Sequence, residues 1–157
     1  MKKYVVIDLE TTGSEISNRM IEIGIVIIEN KEIVGDYATF INPNQNIPSF
    51  ISHLTGITDA DVKNAPYFEE KAEEILDLLK DSYIIAHNIH FDLGFLNDEL
   101  QRIGKGKLQN PVIDTVELSR IFYPQAPSYK LNQLAQFLNI KHKAPHRAIS
   151  DAYVTAH

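Results

Sequence analysis

The stretch VVIDLETTG, residues 5–13, decides the fold. Val5, Val6, Ile7 and Leu9 form the kind of apolar run that makes a strand covered on both faces, yet Asp8 interrupts it and Glu10 follows two places on. In a strand, residues i and i+2 point to the same face, so Asp8 and Glu10 project together while Ile7 and Leu9 point away. A buried carboxylate is costly unless it is paired or coordinates a metal. Two like charges this close would favour protonation of one of them. A divalent cation between them reverses that balance, and oxygen-only donors suit Mg²⁺ or Mn²⁺. The plain alternative is that both acids lie at the strand's end and reach solvent.

Around this strand, expected over residues 3–9, the chain divides cleanly. The β-branched run from Met20 to Ile28, the polar turn Glu29-Asn30-Lys31 and a second extended run to Phe40 predict an antiparallel hairpin. Asn42-Pro43-Asn44 and Pro48 mark a loop. A short helix is expected over Phe50–Leu54, ended at Gly56, and a longer one over Phe68–Leu79. A strand at Tyr83–Ala86 leads to a helix over Phe91–Ile103, with Phe91, Phe95, Leu96, Leu100 and Ile103 along one side. Val112-Ile113 reads as a brief strand running into a helix over Thr115–Phe122, and Leu131–Leu138 as an amphipathic helix. A last helix is expected from about Arg147 onward. A hairpin followed by alternating strands and helices predicts an α/β domain with a mixed, mostly parallel sheet.

The 157 residues suit one domain, expected to be excised from a longer protein because the last helix runs to the final residue. At 44% hydrophobic and 23% charged, the composition is that of a soluble globular protein. No apolar run approaches the roughly 20 residues that span a bilayer. The N-terminus runs straight into strand-like sequence, so neither a signal peptide nor a membrane partner is expected, and the location is expected to be cytoplasmic. The chain has no cysteine, which excludes disulfides and thiolate metal sites. A net charge of −6 argues against a protein that holds nucleic acid through phosphates alone, but not against an enzyme whose acids are neutralised by bound cations. Basic residues gather at Arg102, Lys105 and Lys107, and again at Lys141, His142, Lys143, His146 and Arg147. Such clusters are ordinarily solvated surface; the second stands beside other candidate groups.

Two further acids fall where a metal site could collect them. Asp92 closes AHNIHFD, residues 86–92, at a helix start, where capping the first turn is the simpler role. Asp151 lies in HRAISDAYVTA, residues 146–156, beside the small residues Ala148, Ala152 and Thr155. His146 precedes Asp151 by five residues, a turn of about 500° along a helix, so the two converge only if His146 stands before the helix. Pro145 favours a loop there. A histidine on such a loop could take up a proton near neutral pH.

DLETTG with Asp8 and Glu10, AHNIHFD with Asp92, and HRAISD with His146 and Asp151 stand in the order and spacing of one family. The chain resembles the DnaQ-like exonucleases of the DEDDh subgroup, named for four acids and a histidine, over essentially its whole length. HLTGIT (residues 53–58) and YKLNQLAQFL (residues 129–138) also look like family segments. Within the family it is most similar to the exonuclease domains of DinG-type helicases and of bacterial replicative polymerases.

The resemblance implies a ribonuclease-H-like fold, a five-stranded mixed sheet flanked by helices. It implies two divalent cations held by Asp8, Glu10, Asp92 and Asp151, with His146 as general base. The implied reaction is stepwise 3′–5′ release of 5′-mononucleotides from a free DNA 3′ end, with a helicase or polymerase module as a possible linked partner. Leu9, Thr11 and Thr12 would meet the terminal sugar through their backbone. His53 and Leu54 would wedge against the last nucleotides. Phe91 is a candidate stacking platform, although its helical spacing suits core packing better. An exoribonuclease would use the same chemistry, because discrimination rests on contacts to the 2′-OH. A non-catalytic nucleic-acid-binding module would be expected to have lost one of the five residues. An unrelated metal-dependent phosphatase would explain the acids but not the ordered motifs.

Overall fold

The computed structural model describes residues 2–140. Five strands form one sheet: β1 (Lys3–Thr11), β2 (Met20–Glu29), β3 (Glu32–Phe40), β4 (Tyr83–Ala86) and β5 (Val112–Asp114), in the order β3-β2-β1-β4-β5. β1 is central, antiparallel to β2 and parallel to β4, and β5 continues the parallel half. The expected hairpin is present. Glu29 pairs with Glu32 across Asn30 and Lys31, both at positive φ, the conformation that fits a two-residue turn to the twist of its strands.

The two faces of the sheet are unequal. Val5, Ile7 and Leu9 of β1, with Ile23 and Ile25 of β2 and Ile84 and Ala86 of β4, pack into the main core. Against that face lie α3 (Phe68–Leu79), through Phe68, Ala72, Ile75 and Leu79, and α4 (Ile89–Arg102), through Ile89, Leu96 and Leu100. On the opposite face, Val6 and Val26 are buried with Ile28 and Ile85 beside them, a small cluster that gives way to Asp8 and Glu10 along the same row. The alternation of β1 thus separates core from candidate site residue by residue.

The helices α1 (Ser49–Thr55) and α2 (Asp59–Lys63) close a satellite core of Ile21, Ile47, Ile51, Ile57 and Val62. α1 ends at Gly56, whose φ of 77° and N–H bond to the Ser52 carbonyl make it a left-handed cap. α2 is an addition to the sequence reading. It is a single turn opened by a capping box between Thr58 and Asp61, with Val62 as its one buried residue. α4 begins two residues earlier than expected because the chain turns at Asn88, whose φ is 67°. α5 (Thr115–Phe122) and α6 (Leu131–Phe137) complete the described elements. The helix expected from Arg147 lies outside the described residues. Among the described residues, no helix is long and apolar enough to cross a membrane.

Candidate active site

Asp8 and Glu10 occupy the last half of β1, on the face away from the main core. Across the antiparallel pair Asp8 faces Gly24, which brings no side chain beside it, and Glu10 faces Glu22. Residues directly opposite share a face, so a third carboxylate joins the row. Glu22 is buried, with 3% of its surface exposed.

β1 and β4 are parallel, so their C-terminal ends finish at the same edge of the sheet, and α4 springs from that edge. Ligand sites in open α/β sheets gather at such ends. Asp92 sits in the first turn of α4 and is 4% exposed. The N-cap position is Asn88, four residues earlier, so Asp92 lies inside the first turn rather than at its cap. Asp92 is thus a buried acid at the same end of the sheet as Asp8 and Glu10. Asp8 Oδ2 and Asp92 Oδ2 are both buried atoms.

The corner that delivers Asp92 is pinned from β5. Asp114 Oδ1 accepts the Asn88 N–H at 2.9 Å and the Val116 N–H at 3.0 Å, joining the β4–α4 turn to the start of α5. His87 Nε2 lies against the Tyr129 carbonyl at 2.5 Å, and Nδ1 lies 2.9 Å from Thr115 Oγ1. A carbonyl only accepts, so Nε2 carries a proton and donates to Tyr129, while Nδ1 faces the Thr115 hydroxyl, which also donates to the Ala86 carbonyl at 3.3 Å.

The segment after Glu10 is knit internally. Thr11 donates to the Gly13 carbonyl and Thr12 to Gln45 Oε1, so both hydroxyls are engaged within the chain. Thr12 also pairs twice with Arg19, its N–H donating to the Arg19 carbonyl and its Oγ1 accepting the Arg19 N–H, each at 2.9 Å. Leu9 is a buried core residue. His53 and Leu54 are exposed on α1, Leu54 by 50%. Phe91 is half-buried, its ring 5.0 Å from that of Phe95 and inclined by 52°. His146 and Asp151 lie outside the described residues, as do Lys141, His142, Lys143 and Arg147.

Two features escaped the sequence reading. Glu22 is one; a polar residue in a β-branched run was visible, but its place opposite Glu10 depends on a register that no short turn sets. The other is Glu99 on α4, 2% exposed, which receives Arg19 Nε at 2.7 Å, Arg19 Nη2 at 3.0 Å and Arg102 Nη1 at 2.6 Å. The hydrogen bond to Glu99 holds the Arg19 guanidinium above its ordinary pKa despite the opposing cost of burial.

The donors here are carboxylates, hard oxygen ligands that fit Mg²⁺ or Mn²⁺. Among the described residues, no three His, Cys, Asp or Glu side chains form a group able to hold a metal ion. Two of the five candidates, His146 and Asp151, fall outside them.

The Exonuclease family model matches residues 5–157, and the chain belongs to that family. It is 48% identical over 156 residues to the 3′-5′ exonuclease DinG of Bacillus subtilis, covering 98% of this chain and 17% of that protein. It is 44% identical over 155 residues to the PolC-type DNA polymerase III of Caldanaerobacter subterraneus, covering 98% of this chain and 11% of the polymerase. The chain thus spans less than a fifth of these relatives' length. Among solved structures, Escherichia coli exonuclease I bound to single-stranded DNA superposes with a TM-score of 0.90 at 19% identity, over 99% of this chain and 39% of that one. The nuclease domain of 3′hExo, a DEDDh member bound to rAMP, gives 0.86 at 21% identity over 99% and 88%. These likenesses bear out the expected fold and the resemblance drawn from the three motifs.

Proposed function

We propose that the chain is a 3′–5′ exonuclease domain that hydrolyses the terminal phosphodiester at a free DNA 3′ end and releases 5′-mononucleotides. The carrying observation is the placement of Asp8 and Glu10 on one face at the end of the central strand, with buried Asp92 at the same edge. Family membership supports the hydrolytic chemistry, and the relative named a 3′-5′ exonuclease supports the polarity. DNA is favoured because the PolC-type relative is by name a DNA polymerase. Action in the cytoplasm, linked to a polymerase or helicase module, is part of the same proposal.

Asp8, Glu10, Asp92 and Asp151 would hold two divalent cations, Mg²⁺ or Mn²⁺. When bound, these supply positive charge for the attacking and leaving oxygens of an in-line displacement. His146 takes the proton of the attacking water. That water's oxygen bonds to the terminal phosphorus as the bond from phosphorus to the 3′ oxygen breaks; the 3′ oxygen, left on the shortened strand, takes a proton from solvent, and the last nucleotide leaves with its 5′-phosphate. Leu54 and His53, exposed on α1, would wedge against the last nucleotides, and Phe91, half-exposed on α4, offers a surface on which a terminal base stacks. The backbone of Leu9, Thr11 and Thr12 lies beside the acids, where a terminal sugar would rest.

The test uses 5′-labelled single-stranded DNA and matching RNA with Mg²⁺, Mn²⁺ or EDTA, beside an Asp8→Ala protein. The expected result is a ladder shortening from the 3′ end, dependent on metal, faster on DNA and absent in the variant. A faster ladder on RNA replaces DNA as the substrate. No ladder with either metal overturns the proposal.

A further inference from the structure

Glu99 lies seven residues beyond Asp92 on α4, which places it within about 20° of the same line and about 10 Å further along the helix. Its carboxylate is almost wholly buried and receives both forks of Arg19, a residue 80 positions away in sequence. Arg19 in turn closes the loop that follows the β1 acids, through its two backbone bonds to Thr12. The loop is tied elsewhere too. Gln45 Nε2 donates to the Ser17 carbonyl at 3.1 Å, and Asn18 Oδ1 accepts the Glu15 N–H at 2.8 Å. A Cβ at Gly13 would stand 2.5 Å from Asn18 Oδ1, so a side chain there would displace the Asn18 amide that accepts the Glu15 N–H.

The result is a continuous path. It runs from Glu10 through Thr12 to Arg19, across the ion pair to Glu99, and back along one flank of α4 to Asp92. We propose that Arg19 and Glu99 are positioning residues that set the separation between the acid pair on β1 and Asp92 on α4. The inference rests on the proposed metal-dependent reaction, since that separation matters only if those carboxylates share cations. A bidentate guanidinium–carboxylate pair suits this task because it fixes angle as well as distance. Arg102 provides an internal control. It binds the same Glu99 oxygen but lies three residues away on the same helix, so it joins nothing across the path.

The experiment compares wild type with Arg19→Lys, Glu99→Gln and Arg102→Ala, all as the full 157-residue chain. Folding is checked by circular dichroism and thermal melts. Mn²⁺ affinity is measured by calorimetry without nucleic acid, and kcat and KM on labelled oligonucleotides. Arg19→Lys keeps the charge and Glu99→Gln keeps one acceptor, so both are mild enough to fold. Each should weaken Mn²⁺ binding and lower kcat by about 10-fold or more with a smaller change in KM, the scale usual for groups that orient metal ligands. Arg102→Ala should leave Mn²⁺ affinity within about 2-fold of wild type at a similar cost in melting temperature. The proposal is overturned if folded Arg19→Lys and Glu99→Gln bind Mn²⁺ like wild type, or if Arg102→Ala weakens binding equally. Wild type that neither binds Mn²⁺ nor cleaves removes the metal-dependent reaction itself, and the positioning role with it. Wild type that binds without cleaving leaves the affinity comparison decisive.

Discussion

Glu10 and Glu22 face each other across β1 and β2, with Asp8 one row along. Like charges directly opposite in a sheet cost roughly 0.2–1 kcal/mol, and more where water is excluded. The apo protein should therefore gain stability when one is neutralised. Glu10→Gln is expected to raise the melting temperature in EDTA by up to about 4 °C, given a shift of about 2–4 °C per kcal/mol for a domain this size. If the proposed cations bind here, the same variant should lose most of the stabilisation that Mn²⁺ confers on wild type. A lower melting temperature in EDTA, together with an unchanged response to Mn²⁺, would make Glu10 a structural residue. Glu22→Gln should share the apo gain. How far it also loses the Mn²⁺ response tells whether Glu22 acts on the cations or only on its neighbours. The acids on β1 were legible because strand alternation alone puts i and i+2 together. Glu22 was not, because the β1–β2 connection is a long loop that leaves the register open.

At the level of elements, the long amphipathic stretches were readable in advance because burial follows the period of each segment. α3 shows it, with Phe68, Ala72, Ile75 and Leu79 inward. α2 was not readable: five residues with one apolar anchor give no periodicity, and its capping box uses Asp61 in place of the more usual Glu. The place of Asp92 within α4 was not legible either, because the helix start is set by the left-handed turn at Asn88. Leu96 packs α4 against the sheet with no exposed surface. Leu96→Ala should cost about 2–5 kcal/mol in urea unfolding with an unchanged slope; a loss under 1 kcal/mol would mean α4 is not anchored there. β3 is joined to α3 by Tyr37, whose hydroxyl donates to Glu74 Oε2 at 2.9 Å. Burial, then that bond, push the Tyr37 pKa up from 10.0 to about 12. The folded state thus holds the proton more tightly than the unfolded one. The stabilisation is whole below pH 10 and is lost as pH rises through about 12. Glu74 is shifted the other way, lowered by the Tyr37 hydrogen bond and then by Lys71, so its share is present above 4.5 and fades as pH falls below it. Tyr37→Phe should accordingly be less stable than wild type at pH 8, with the gap closing toward pH 12. A gap that stays constant would rule out the Tyr37–Glu74 bond as its source.

For the whole molecule the governing quantity is charge. With 21 acidic against 15 basic side chains, the net charge is −6, and Asp8, Glu10, Glu22 and Asp92 concentrate part of the excess at one end of the sheet. The family was legible from three short motifs. The way charge is distributed through the fold was not, since Arg19 and Glu99 meet across 80 residues with no local signal. Two consequences separate the free and loaded protein. A ligand bound only by the folded state stabilises it by about 2.7 kcal/mol at a hundredfold excess over Kd, so Mn²⁺ should raise the melting temperature in proportion to the logarithm of its concentration. Salt should act in opposite senses. In EDTA, raising NaCl from about 10 mM to about 150 mM shortens the Debye length from about 30 to about 8 Å and screens the crowded carboxylates, so the melting temperature should rise. With Mn²⁺ near its Kd, the same salt weakens attraction between cation and carboxylates and should erode the stabilisation. Melts at two salt concentrations, each with EDTA and with Mn²⁺, therefore test the electrostatic reasoning without nucleic acid or turnover. Curves that shift equally in both conditions would show that the acids neither repel one another in the free protein nor gather the cations in the loaded one.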